Sequence, residues 1–176
     1  VQDLEKIAPV HVSDVVSIDG AVELIEEYGE IFGTKAKASE ITTEILAQSA
    51  AFEKSILNRP TRKVAYFIWE DPYMVAGKDT FIDHLLQVNK FKNAFSEEAS
   101  RYPEVTLEML QENDVDLVLL STEPFPFREK HKKNFQKEVK KAAVHIVDGE
   151  YFSWYGSRLI LAFDYFRKLH EELEPS

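Results

Sequence analysis

Hydrophobic positions recur in two rhythms along this chain, and the change from one to the other falls at Pro60. Before it, Val22, Ile25, Tyr28 and Phe32 recur every three or four residues, which predicts a helix capped by Ser17 and ended by Gly33. Thr34 to Leu57 contains neither Pro nor Gly, and Ala38, Ile41, Ile45, Phe52 and Ile56 keep helical spacing. That predicts one rod of roughly 35 Å, broken by Asn58-Arg59-Pro60. Ahead of both helices, Leu4 and Ile7 belong to a short amphipathic turn stopped by Pro9, and Val10-His11-Val12-Ser13 alternates like a brief strand.

After Pro60 the order strand, loop, helix is expected three times. Val64–Ile68, Asp116–Leu120 and Val144–Val147 are apolar enough to be strands buried on both faces of a parallel sheet. The helices predicted between and after them are Lys78–Val88, a short one after Thr106, Arg128–Lys141 and Ser157–Leu173; the stretch from Lys90 to Ser100 is ambiguous. Such alternation predicts an α/β fold, a Rossmann-like open, mainly parallel sheet flanked by helices and preceded by a long backbone helix.

In open sheets of this kind, ligands bind outside the carboxyl ends of the strands. The three loops that leave those ends, 69–77, 121–127 and 148–156, carry eight of the chain's 21 aromatic residues and both tryptophans. Loops normally present polar residues, so rings collected at one end of a sheet point to a platform for an apolar ligand. Packing of the rings on one another or on a partner domain is the competing reading.

Composition narrows the chemistry. Across 176 residues, 31 acidic and 21 basic side chains give a net charge of −10, which disfavours nucleic acid as a partner. With no cysteine, thiolate catalysis and Cys-ligated metal centres are excluded. No window of about 18 apolar residues spans a bilayer. The sequence has no GxGxxG, no P-loop and no GxSxG elbow. Its five histidines sit on separate predicted elements and read as core or surface residues. Segment 128–141 holds seven basic and two acidic residues and reads as a solvated helix face. The chain opens at Val1, so either a leader or an upstream segment is expected to precede it.

The order of motifs resembles the C-terminal lobe of ABC-importer substrate-binding proteins of the cobalamin, haem and ferric-siderophore class. The matching stretches are Trp69 to Phe81, Tyr102-Pro103-Glu104-Val105-Thr106-Leu107-Glu108, Asp116 to Leu120, and Val147-Asp148-Gly149 through Gly156-Ser157-Arg158. The 34–57 helix is similar to the backbone helix that joins two lobes in that class. The resemblance implies three parts: residues 1–13 as the remnant of an N-terminal lobe that is otherwise missing, 14–60 as a helical spine, and 61–176 as the ligand-binding lobe. It further implies a binding role without catalysis, with a cobalamin, haem or ferric siderophore held between lobes by Trp69, Tyr73, Tyr102, Phe125, Phe127, Tyr151, Phe152 and Trp154. Glu108 matches a carboxylate that docks on the importer's permease, and the location implied is periplasmic or otherwise extracytoplasmic, with a lipid anchor on a missing N-terminus left open. Two readings from other classes stay beside it: a Rossmann-like enzyme using Glu70, Asp71 or Asp148 as acid or base, and an interaction module with an aromatic face.

Overall fold

A computed structural model describes residues 1–174. A single helical turn, α1 (Gln2–Glu5), is followed by α2 (Ile18–Ile31) and α3 (Lys35–Ser55). The α/β part runs β1 (Arg62–Glu70), β2 (Tyr73–Val75), α4 (Phe81–Val88), β3 (Phe91–Asn93), α5 (Leu107–Glu112), β4 (Leu117–Ser121), α6 (Glu129–Glu138), β5 (Ala143–Val147), α7 (Glu150–Ser153) and α8 (Leu159–Glu172). Parallel pairing joins β1 to β4 and β4 to β5. The other edge of β1 is shared: β3 pairs in parallel with residues 62–64, and β2 turns back antiparallel along 67–70. The sheet is therefore mostly parallel and open.

Side-chain alternation divides the interior into two cores. Val64, Tyr66 and Ile68 of β1 join Leu117 and Leu119 of β4 on the face covered by α4 and α8. Ala65 and Phe67 join Val118 and Leu120 on the opposite face, under Leu110 of α5 and Phe135 of α6. Five consecutive buried residues in β1 and five in β4 follow from being covered on both sides.

The long helix packs into the first core. Its buried residues Ala38, Thr42, Ile45, Ser49 and Phe52 form a stripe spaced by fours and threes. Phe52 is fully buried, with its ring 6.0 Å from Phe163, 5.8 Å from Phe166 and 5.9 Å from His170. Val15, Ile18 and Ala21 belong to the same core.

Several boundaries differ from the sequence pattern. Residues 10–13 form no strand, and Val12 is exposed; alternation alone makes no strand where no neighbouring backbone supplies hydrogen bonds. Helix α4 starts at Phe81, not Lys78, because Asp79 takes a left-handed conformation (φ 56°) and Thr80 caps the helix. The Thr80 Oγ1 accepts from the Asp83 N–H at 3.0 Å and donates to the Gly77 carbonyl at 2.9 Å. Helices α6 and α8 are shorter than the 128–141 and 157–173 spans. The ambiguous 90–100 stretch contains β3, and the first aromatic loop contains β2.

Candidate ligand-binding site

A crevice of about 520 Å³ opens at the carboxyl ends of the parallel strands. Its floor and sides come from Ile68 near the end of β1, Phe81 and Ile82 at the start of α4, Pro124 after β4, and Ser153 and Tyr155 after β5. Arg101 and Tyr102 form one wall, and Ser13, Asp14 and Val15 close it from the segment before α2.

The Arg101–Tyr102 wall is held by backbone. The Gly77 N–H donates to the Arg101 carbonyl at 2.8 Å, Val75 N–H to the Pro103 carbonyl at 3.1 Å, and Val105 N–H to the Tyr73 carbonyl at 2.9 Å. Strand β2 thus serves as a rail for residues 101–105. Gly77 permits this close approach: a Cβ there would lie 2.7 Å from the Ser100 carbonyl and 3.3 Å from that of Arg101. Gly149 does the same under the second and third loops, where a Cβ would run into Ser121 Oγ and lie 2.9 Å from the Glu123 nitrogen.

The eight aromatics expected at the site are sorted by these contacts. Trp69, Tyr102 and Trp154 stand 40–55% exposed, and Tyr102 lines the crevice itself. Trp69 follows Ile68 in the chain, donates its indole N–H to the Asp71 carbonyl at 3.1 Å, and meets half-buried Phe125 edge-on at 5.7 Å. Tyr151 is half-buried and stacks on Tyr165 at 4.6 Å, with the Arg158 guanidinium 4.9 Å from its ring centre. Three rings point into the protein. Phe152 is fully buried, 5.1 Å from Tyr66; Phe127 is buried between Phe125 and Phe135; and half-buried Tyr73 lies edge-on to Phe67 and Phe135 at 5.8 and 5.1 Å. The sequence reading passed over Tyr155, exposed and edge-on to Phe81 at 5.6 Å, and over Arg101, Asp14, Phe81 and Ile82. Tyr155 lies in the third aromatic loop and Phe81 closes the 69–81 motif stretch; Asp14, Ile82 and Arg101 carry no local signal, since only folding brings them to the strand ends.

Below the crevice two phenols are paired. Tyr66 donates to Ser121 Oγ at 3.1 Å, and Ser121 donates to the Glu123 carbonyl at 2.6 Å; burial holds the Tyr66 phenol protonated far above the ordinary range. The Tyr165 hydroxyl accepts the Asp148 N–H at 2.9 Å, and burial pushes its pKa up to about 12. Of the carboxylates considered for catalysis, Asp148 accepts the Glu150 N–H at 3.0 Å, and Glu70 lies 3.6 Å from His131 Nε2. Glu108 is exposed in the first turn of α5, where the Thr106 side chain and its own amide hold its carboxyl below the usual range. Among the described residues, no three His, Asp or Glu side chains converge to hold a bare metal ion.

An independent comparison bears on this arrangement: the family model described as periplasmic binding protein matches residues 1–144. The chain belongs to the periplasmic binding protein family. Family members are solute-binding proteins of ABC importers for iron, haem or B12-type ligands, act outside the cytoplasm, and are not enzymes, which sets aside the acid–base reading of Glu70, Asp71 and Asp148. No curated protein sequence matches the chain. Among solved structures, it is similar to a possible iron-binding periplasmic solute-binding protein from Staphylococcus epidermidis ATCC 12228 (21% identity, TM-score 0.77, covering 95% of this chain and 68% of that one). It is also similar to the periplasmic haem-binding protein RhuT from Roseiflexus sp. RS-1 (15%, 0.77, 98% and 71%) and to the periplasmic vitamin B12 binding protein BtuF of Vibrio cholerae (12%, 0.75, 97% and 68%). At these identities the likeness is one of fold. The chain spans between 55% and 72% of the lengths of eight such structures. No helix among the described residues is long and apolar enough to cross a membrane.

Proposed function

We propose that this chain binds a metal chelate, a cobalamin, haem or ferric siderophore, in the crevice at its strand ends and delivers it outside the cytoplasm to an ABC-importer permease. One observation carries the reading: a crevice of about 520 Å³ in a periplasmic binding protein chain has half-exposed aromatic rings in and beside it. Large rings held open to solvent at a concave site lose little entropy on binding and gain area against a flat, apolar ligand. Each ring contact contributes roughly 0.5–1.5 kcal/mol beyond area burial. Trp69, Tyr102, Phe125, Tyr151, Trp154 and Tyr155 are the contacts proposed; Tyr73, Phe127 and Phe152 support them from beneath.

In the same reading residues 61–176 are the ligand-binding lobe, α3 is the spine, and ionised Glu108 at the exposed start of α5 meets cationic side chains of the permease. The test is titration of the chain with cyanocobalamin, haemin and ferric siderophores, following tryptophan fluorescence. Saturable quenching by at least one chelate at micromolar concentration is expected, weakened about tenfold by Trp154→Ala. No quenching by any of them, together with no absorbance change of the chelate, refutes the assignment.

A further inference from the structure

Arg101 is the cation of the crevice wall and Asp14 the anion that faces it. Their pairing is long, with guanidinium nitrogens 3.2–3.3 Å from the two carboxylate oxygens, and the side chains are 43% (Arg101) and 71% (Asp14) exposed. Asp14 lies in an irregular segment before α2. The backbone of Arg101, in contrast, is fixed on the β2 rail through the Gly77 N–H. Arg158, the other arginine beside these aromatics, is committed to Glu150 and to the rings of Tyr151 and Trp154.

An exposed ion pair of this kind is held weakly, so a ligand anion can take the place of the Asp14 carboxylate. A guanidinium on a backbone held at the wall of a partly apolar crevice offers two parallel N–H donors to a carboxylate or catecholate edge, and gains strength as ligand entry excludes water. Phe81 and Ile82, in the first turn of α4, line the same crevice, so the positive end of that helix lies beside it.

Resting on the function proposed above, we propose that Arg101 selects anionic chelates by accepting an acidic group of the cargo in exchange for Asp14. Asp14 is then a built-in competitor, and its removal strengthens what the removal of Arg101 weakens.

Opposite responses of two exposed residues separate this from a fold effect. The chain and its Arg101→Gln and Asp14→Asn variants are titrated with a trianionic ferric tris-catecholate, with haemin, which carries two propionates, and with cyanocobalamin, which has no net charge. Arg101→Gln should weaken the two anionic chelates about tenfold, and Asp14→Asn should tighten them about threefold, each relative to any change in cyanocobalamin affinity. Equal affinities for the anionic chelates across the three proteins, or equal losses for cyanocobalamin, overturn the role of Arg101 and leave the chelate-binding reading standing. Binding of none of the chelates by any protein overturns both.

Discussion

Asn93 shows how much one side chain can hold together. Its amide donates to the Ala76 carbonyl at 3.0 Å and to the buried Asp83 carboxylate at 2.8 Å, and its carbonyl accepts the Phe95 N–H. It thereby ties β3 to α4 and to the residue before Gly77. Asn93→Leu leaves a buried carboxylate oxygen and a carbonyl without donors, and should cost about 3 kcal/mol in chemical denaturation; a loss under about 1 kcal/mol would show that water replaces the amide. His170 is a second such residue. It is buried, stacked on Phe91 at 5.2 Å, and burial together with Arg59, Arg62 and Lys90 lowers its pKa to about 4. The folded state therefore refuses a proton that the unfolded chain accepts from about pH 6.5 downward. Stability from this group is complete above that pH and is lost as the pH falls toward 4. His170→Phe keeps the stacking and removes the titration, so its melting temperature should fall less than that of the parent between pH 7 and 4.5. Equal falls would reassign the acid sensitivity to other groups, His84 and His145 among them, whose pKa values burial also lowers.

At the scale of elements, α3 and β2 matter most. The helical spacing of α3 was legible, but Thr42 and Ser49 fill two positions of its buried stripe that the apolar pattern did not name while Ile41 stays half-buried, and only Phe52 among the three rings of α8 shows what the stripe is for. Phe52→Ala empties a site with no exposed surface and should cost roughly 3–5 kcal/mol. Strand β2 was not legible: three residues after a Pro carry too short a period to separate from a loop, and the strand exists because β1 offers it a free edge. Its consequence is functional, since residues 101–105 ride on it. Gly77→Ala pushes on two carbonyls of that wall, so chelate affinity should drop at least tenfold while the melting temperature moves by only a few degrees. Unaltered affinity in the folded variant would mean that the wall tolerates displacement.

Over the whole molecule, charge and fold separate two tasks. The −10 charge disfavours a nucleic-acid role, and the proposed permease contact is focused at Glu108 on α5, whose carboxyl is held below the usual range. Glu108→Lys should therefore reduce stimulation of importer ATP hydrolysis about tenfold and leave chelate affinity as it was; undiminished stimulation at low salt would remove Glu108 from the docking surface. What the amino-acid order determined by itself is local in origin. The change of hydrophobic period at Pro60, the doubly buried strands and the crowd of rings in three loops all follow from neighbours along the chain. Only the tertiary structure decided which rings face out. Phe152 came from the same loop as Trp154, and Phe127 from the same loop as half-buried Phe125; the two turned inward because Tyr66 and a second core were there to receive them. It also decided that Asp14 and Arg101, 87 residues apart, meet across one crevice. Such a pairing depends on how segments close over the sheet, and no spacing in the sequence carries it.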